Sequence, residues 1–545
     1  MKEDFCMPEM TLRQKIRQML LPAFRFWEPG SSDSMSVGIM AQKLGERQFG
    51  GIVVFDRNIA DPYQASMLLN MVGKANRESG GKTDYFFAID QEGGRVSRLT
   101  GGTKFSGNMA LGAANDESLV LETAGVIGAE LSEVGFNLDF APDVDVNDNP
   151  GNPVIGVRSF SDDPAVVSNL GCYYIKGLNE HGVMAVAKHF PGHGNTVVDS
   201  HVGLPMVDKS LSDLKKTELV PFEAVIGATD MIMTAHIQFP QIEKTTYVSK
   251  ETGEEVFLPA TLSKTIITGL LRENMGYNGV VVTDDMLMGA ISRHFDPLDA
   301  ARLAINAGAD LILMPVDLST SDGFDEIDRY VDAIMSMVEK GDIPISRIDE
   351  SVGRILTLKG KYSNVPKHSG ISDWRSHIPF AWRSAFKAVT LLQNRNGLLP
   401  LSGNARVLVC CPSESARLSV DEALAFMVRS NIIPEKNNIE ICIYGKTFDL
   451  PHDYDAFILI SENKCDVQVP DDLADKVVFI SAALPYDTAY AASCGAVLAC
   501  YGYEGSLNLT VCLSAVFGTF MPKGRLPVTI PAPDGKAAWE RGFRA

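Results

Sequence analysis

The sequence predicts an α/β chain in two parts: an N-terminal (β/α)8, or TIM, barrel followed by a C-terminal α/β sandwich domain. Three observations carry that expectation. Across the first 365 of 545 residues, eight short apolar runs alternate with amphipathic stretches long enough for helices, the pattern of a parallel sheet covered by helices. Several of these runs end on a charged residue or a histidine. Between about 362 and 385 the pattern lapses, and new apolar runs begin beyond it.

In chain order the runs are "QMLLPAF", "GGIVVF", "YFFAID", "NLDFAP", "VMAVAKHF", "MIMTAH", "GVVVTDD" and "DLILMP". Eight such units argue for closure, because a closed sheet has no exposed edge strand. Polar residues gather where the runs stop: Asp90, Asp139, Lys188 with His189, His236, and Asp284 with Asp285. The C-terminal ends of parallel barrel strands share one mouth, so these residues are expected to converge.

Residues 1–365 are expected to form the barrel, 366–385 a linker and 386–545 the second domain. The segment "YSNVPKHSGISDWRSHIPFAW" carries the prolines, glycine and serines of a connection. After it, "RVLVCCP", "IEICIYG", "DAFILIS", "VVFISAAL" and "GAVLACYG" alternate with helical stretches. No GxGxxG or Walker A loop occurs among them, so no nucleotide is expected, and no other cofactor is called for.

Composition narrows the function. An apolar content of 45% and a charged content of 21% are those of a globular protein. A net charge of −19 without a compact basic cluster repels nucleic acid and anionic membrane surfaces. The opening "MKEDFCMPEMTLRQK" lacks the basic and apolar regions of an export signal, and no transmembrane run follows. Nine cysteines in apolar surroundings, without CxxC spacing, read as reduced thiols. The expectation is a cytoplasmic protein with a small or neutral ligand.

The stretch "KHFPGHGNTVVDSH", residues 188–201, holds three histidines, a lysine and an aspartate. A zinc site would want its ligands on a defined scaffold such as one helix face, and Pro191 with its neighbouring glycines prevents that, so no metal is expected. Ordinary loop hydrogen bonding explains any one of the histidines. Asp199 and His201, two residues apart, suit an acid/base pair in which the carboxylate fixes the imidazole tautomer. Asp284, at the end of "GVVVTDD", is a candidate nucleophile for an electrophilic sugar carbon, or else a helix cap. Asp285 beside it is equally suited to either role. In "AIDQEGGRVSRL", Asp90 is placed to accept from hydroxyls, while Asp90, Glu92, Arg95 and Arg98 are also able to pair among themselves.

Taken together, "AIDQEGGRVSRL", "MALGAA", "PVIGVRSF", "KHFPGHGNTVVDSH", "MTAHIQFP" and "VVVTDDMLMGAI" resemble glycoside hydrolase family 3, in its NagZ-type β-N-acetylglucosaminidase (β-hexosaminidase) branch. "AVTLLQNRNGLLPL" and "GRLPVTIP" resemble the second domain of longer members, so the likeness spans nearly the whole chain.

The resemblance implies a retaining exo-glycosidase with Asp284 as nucleophile and His201, oriented by Asp199, as acid/base. It implies that Asp90, Arg98, Arg158, Lys188 and His189 bind the terminal sugar. The choice of Asp284 over Asp285 comes from this resemblance alone. Asn195 stands where several members carry aspartate, which removes a charge beside the pair. The implied substrate ends in β-linked N-acetylglucosamine, with muropeptide fragments a natural source and other glycan disaccharides an alternative. Phosphorolysis is the competing activity, since a neutral imidazole does not repel phosphate. A glycan-binding module without turnover and a metal-dependent hydrolase are the readings from other classes. The second domain is expected to serve as scaffold or homodimer contact.

Overall fold

The computed structural model describes residues 9–24, 34–201, 203–319, 322–363, 365, 370–434, 438–444, 450–463, 469–502 and 507–545. Residues 1–8 of the opening stretch and 366–369 of the expected linker lie outside them.

Local sequence fixes where the helices begin. Asp-Pro steps open Pro62–Glu78, Pro164–Glu180 and Pro297–Ala307, and in each the aspartate side chain accepts from a backbone N–H of the first turn. The carboxylate satisfies a donor that has no intrahelical partner, and the proline adopts the first helical position without losing a needed N–H.

All eight expected barrel strands form: β1 (Leu20–Leu21), β2 (Gly51–Val53), β3 (Phe86–Ile89), β4 (Leu138–Asp139), β5 (Met184–Phe190), β6 (Met231–Thr234), β7 (Val280–Val282) and β8 (Ile312–Leu313). Parallel ladders join β2 through β7 in chain order and join β8 to β1. Single parallel bridges, Ala23 to Val53 and Val282 to Leu311, close the two remaining gaps. The ring is complete, with the C-terminal strand ends on one face. Every residue of β5 is buried, as expected for a strand covered on both sides, which reads in sequence as a continuous apolar run.

In the second part, β9 (Thr390–Asn394), β10 (Val407–Cys411), β11 (Ile439–Ile443), β12 (Ala456–Ser461), β13 (Val477–Ser481) and β14 (Ala496–Ala499) form one sheet. Its spatial order is β9-β14-β13-β12-β10-β11, parallel except for β9 at the edge. The five parallel strands follow a doubly wound order and match the five apolar runs. Strand β9 is not among them: its apolar part is short, its ladder is irregular between Leu391 and Gln393, and it ends on Gln393 and Asn394. An antiparallel edge strand does not need a continuous apolar sequence.

Within 366–385 the chain forms a short turn of helix, Trp374–His377, and then enters the helix Ile378–Ala388. Ala381 of that helix packs in the barrel core and Ala385 in the core of the second sheet. A third cluster joins Met109, Ala110 and Ala113 of the barrel side to Phe457, Leu459 and Val497 of the sheet. Polar contacts reinforce the junction: Asn147 Nδ2 donates to Tyr486 Oη (2.7 Å), and Asp162 accepts from Thr529 N (2.8 Å).

Beneath the barrel, the Lys359 ammonium donates to Gln18 Oε1 (2.9 Å) and lies 4.9 Å from the centre of the Phe86 ring. Burial, only partly opposed by the Asp84 carboxylate, lowers its pKa from 10.5 to about 7. Below pH 7 the amine is charged in both the folded and the unfolded chain, and desolvating it costs stability in full. Between 7 and 10.5 the folded chain holds the neutral amine while the unfolded chain keeps its proton, so that cost declines. Lys359→Met is therefore expected to stabilise the fold by about 1–2 kcal/mol at pH 6 and by less at pH 9, as read from denaturant midpoints at the two pH values.

Candidate active site

The barrel mouth brings together what the sequence scattered. A cavity of about 300 Å³ is lined by Asp90, Arg98, Arg158, Lys188, His189, Asp199, His201 and Asp284, all eight of the expected site residues. Two other strand-end residues support it from behind. Asp139 is buried and accepts from Gln91 N (2.8 Å). His236, also buried, bonds through Nε2 to the carbonyl oxygen of Asp285 (2.9 Å) and through Nδ1 to Thr261 Oγ1 (2.8 Å).

The two adjacent aspartates have different partners. Asp285 Oδ1 accepts from Leu287 N (2.8 Å), as a turn-capping carboxylate does. Asp284 Oδ1 accepts from Asp285 N (2.8 Å), and both aspartates line the cavity. Burial pushes the Asp284 carboxyl up. The His236 and His189 rings, the Asp285 N–H and the Lys188 ammonium outweigh burial and hold it below the ordinary range, as an ionised nucleophile requires.

The loop after β5 carries the candidate acid/base. Asp199 Oδ1 accepts both His201 N and His201 Nδ1, each at 2.8 Å. Nδ1 is thereby engaged and Nε2 is left for another partner, on a side chain 64% exposed at the rim. The base of the loop is fixed from the loop after β4. Asn152 Nδ2 donates to the carbonyls of His193 and Gly194, both at 2.9 Å, while its Oδ1 accepts from Val154 and Ile155. Gly194 lies so close to Val146 O that a Cβ would sit 1.7 Å from it; only glycine fits. Asn195 donates to Asp148 (2.9 Å), and Asp148 also accepts from Lys209 (2.6 Å). An aspartate at 195 would set carboxylate against carboxylate there, which accounts for the amide.

The three histidines do not share a ligand set. His189 Nδ1 pairs with Asp145 (2.8 Å), His193 bonds to Thr196 and Ser200, and His201 to Asp199. The donor atoms that do cluster are those of Asp143, Asp145 and His189, within 4.8 Å of one another. The positive charge beside them is Arg158, whose Nη2 is 3.6 Å from Asp143.

Electrostatics on this side centre on Glu92. Its buried carboxylate accepts from Arg158 Nη2 (2.8 Å) and Nε (3.0 Å) and pairs with Lys188 Nζ (2.6 Å), which also reaches Asp90 (2.9 Å). Burial pushes Glu92 up, but Arg158 and Lys188 pull its pKa down to about 2. Burial works against the Lys188 charge too, and Asp90 with Glu92 more than restores it. His189 is held neutral: burial first, then Arg158, lower it to about 4. Asp143 is pushed up to about 8 by burial and by Asp145, itself raised by burial to about 6. Arg98 stands apart at the rim, 36% exposed and 3.6 Å from Asp56.

The sequence pairing of Glu92 with Arg95 or Arg98 is replaced here by Arg158, from the turn Gly156–Arg158 after β4, and Lys188 of β5. The roles of Asp143 and Asp145 were missed, although the alternation in "PDVDVN" after a strand is the pattern that puts both on one face.

Comparison with known proteins places this geometry. The family model described as "Glycosyl hydrolase family 3 N terminal domain" matches residues 11–358. The chain belongs to glycoside hydrolase family 3. It is 32% identical over 586 aligned positions to "Beta-hexosaminidase A" of Pseudoalteromonas piscicida, covering 96% of this chain and 97% of that protein. It is 37% identical over 291 positions to "Beta-hexosaminidase LpqI" of Mycobacterium tuberculosis, covering 52% of this chain and 69% of that one. The solved structure of a glycoside hydrolase family 3 β-N-acetylglucosaminidase from Paenibacillus sp. str. FPU-7 superposes with a TM-score of 0.78 at 34% identity, covering 95% of this chain and 99% of that one.

As a family 3 glycoside hydrolase the protein acts on a carbohydrate, and the cavity has two walls suited to one. The arc from β3 to β5 presents Asp90, Arg158, Lys188 and His189, whereas Val53, Phe55, Met233, Met288, Leu313 and Met314 supply apolar surface. A pyranose ring has both characters, with hydroxyls at its rim and C–H groups on its faces. A second cleft, about 480 Å³, shares Arg95, Pro153 and Val154 with this cavity and runs toward Leu484, Tyr486 and Tyr501 of the second sheet. No helix among the described residues of this family 3 enzyme is long and apolar enough to cross a membrane.

Proposed function

We propose that this glycoside hydrolase is a retaining, exo-acting β-N-acetylglucosaminidase, with Asp284 as nucleophile and His201, oriented by Asp199, as acid/base. The observation that carries this reading is the opening of Asp284 and the Asp199–His201 pair into one cavity whose remaining polar wall can grip a terminal sugar. Asp90, Arg98, Arg158, Lys188 and His189 are the hydroxyl-binding groups in it. The preference for N-acetylglucosamine is supported by the relatives that match almost the whole chain.

In the first step protonated His201 gives its proton to the glycosidic oxygen as Asp284 attacks C1. The C1–O bond breaks, the aglycone leaves with that proton, and a glycosyl ester forms on Asp284. Neutral His201 then removes a proton from water, whose oxygen displaces the Asp284 carboxylate and regenerates the anomeric configuration of the substrate. Most retaining glycosidases use a second carboxylate for the proton. Here the imidazole–aspartate pair takes that place, so a neutral ring faces the incoming acceptor and the carboxylate charge is set behind it. The adjoining cleft is the exit for the aglycone, and a muropeptide fragment ending in N-acetylglucosamine is the substrate we assign.

The neutral imidazole also favours one other acceptor, inorganic phosphate. Aryl β-N-acetylglucosaminide and aryl β-glucoside turned over with and without phosphate separate the two. Free N-acetylglucosamine, in an amount unchanged by phosphate, is the expected product. Conversion to sugar 1-phosphate on adding phosphate makes the enzyme a phosphorylase, and preferential release of glucose overturns the sugar assignment.

A further inference from the structure

The loop that bears Asp199 and His201 is built around a buried histidine for which the proposed chemistry has no use. His193 is 1% exposed, and its ring spans the inside of the loop: Nδ1 lies 3.0 Å from Thr196 Oγ1 and Nε2 lies 3.2 Å from Ser200 Oγ. Ser200 sits between Asp199 and His201 in sequence, so the ring props the loop directly beneath the pair. The hydroxyls at both ends are themselves buried, and the ring with Ser200 borders the cavity wall.

The backbone of His193 is fixed as tightly as its ring. Its N–H donates to Asp145 Oδ1 (2.6 Å), the carboxylate whose other oxygen holds His189 Nδ1 (2.8 Å). Its carbonyl accepts from Asn152 Nδ2 (2.9 Å). The His193 ring meets the His189 ring edge to face at 5.6 Å. A single residue thus ties the sugar-facing end of β5 to the far end of the loop. Beyond the prop, Ser200 O accepts from Ala290 N (3.1 Å), so the loop is also seated on the segment after β7.

We propose that His193 is a positioning residue for the acid/base: its imidazole acts as a strut between Thr196 and Ser200 that sets the height of His201 over the anomeric carbon. This deepens the reading of His201 as acid/base and rests on it. A strut serves best if its own charge does not change during turnover. Burial, and next the His189 ring, lower His193 to about 3, so it stays neutral while His201 cycles its proton.

The strut role separates from general structural support by its dependence on the leaving group. An unactivated alkyl glycoside needs the proton from His201 as its bond breaks, whereas a dinitrophenyl glycoside does not. His193→Phe keeps the ring's bulk and removes both bonds. Its kcat on an alkyl β-N-acetylglucosaminide is expected to fall about a hundredfold, while the first-turnover burst with the dinitrophenyl substrate stays within a few fold of wild type. His193→Gln, whose amide reaches toward Ser200 alone, is expected to recover part of the loss. Ser200→Ala, which removes one end of the strut with little change in volume, is expected to lose about tenfold with the same split. That variant decides the matter if His193→Phe does not fold. Equal losses on both substrates, or no loss on either, overturn the strut. His201→Ala, measured alongside, is expected to show the same split more strongly; if it shows none, the acid/base assignment itself falls, independently of His193.

Discussion

Asp284→Ala is expected to hydrolyse an aryl β-N-acetylglucosaminide about 10⁴-fold or more slowly than the wild type, while folding normally. The size of the effect follows from the position. Asp284, the proposed nucleophile, lines the cavity after β7 and its carboxyl is held below the ordinary range, so on that proposal removing it deletes the covalent step rather than weakening a contact. Truncation also leaves room for a small anion. Azide admitted to that space attacks C1 from the face the carboxylate used, and the glycosyl azide formed has the inverted anomeric configuration. Recovery of rate with azide, together with that α-azide product, identifies the nucleophile; near wild-type turnover by Asp284→Ala excludes it. Asp285→Ala is the informative control, because Asp285 caps the turn through Leu287 N and its loss should lower stability by about 0.5–2 kcal/mol without opening the azide route.

Glu92→Gln is expected to cost about 3–5 kcal/mol of folding stability at neutral pH, a loss larger than its distance from the reacting bond suggests. Glu92 is the shared counter-charge of Arg158 and Lys188, and both cations are largely buried. A neutral amide leaves two cations facing one another, with Asp90 the carboxylate still paired to Lys188 and Asp143 and Asp145 beside Arg158. The same substitution should raise KM, since the cations it frees are the ones proposed to bind hydroxyls. The pH dependence has a definite sign. The folded pKa of Glu92 is lowered from 4.5 to about 2, so its contribution is fully present above about pH 4.5 and is lost as pH falls toward 2. Urea midpoints of wild type and Glu92→Gln should therefore differ most near neutrality and draw together below pH 4.5. A constant gap across that range makes the burial of Glu92 electrostatically idle.

How much of this was legible in the sequence depended on whether the signal was local. The eight barrel strands were readable because each is buried on both faces, which makes "VMAVAKHF" or "GVVVTDD" a continuous apolar run with its polar end marking the mouth. Their convergence followed from barrel geometry, and all eight expected site residues do line one cavity. The partners of Glu92 were not readable. Its neighbours in sequence, Arg95 and Arg98, are also arginines, and only the closed ring brings Arg158 and Lys188 nearer. Nothing local separated Asp284 from Asp285 either; resemblance chose between them, and in the structure both line the cavity while Asp285 also accepts from Leu287 N. Strand β9 went unread because its apolar stretch, "AVTLL", follows directly on the helix Ile378–Ala388 with no turn residue between them. The jobs of Asn152 and His193 were invisible for a related reason, since an amide or imidazole in a loop has no pattern until its acceptors are placed.

The seating of the 188–201 loop bears on how enzymes of this kind can be recombined. That stretch is not a portable cassette. Gly194 has its backbone pressed on Val146, Asn195 is matched to Asp148, and Asn152 grips two of its carbonyls. A chimaera that imports another enzyme's loop into this chain, or lends this one out, exchanges half of a lock. The exchangeable unit is the loop together with residues 145–158, which form most of its seat and also carry Arg158, and the turn at Ala290 on which Ser200 rests. Because Tyr486 holds Asn147 within that seat, the natural breakpoints for swapping acid/base chemistry lie outside these segments, and the second domain travels with them.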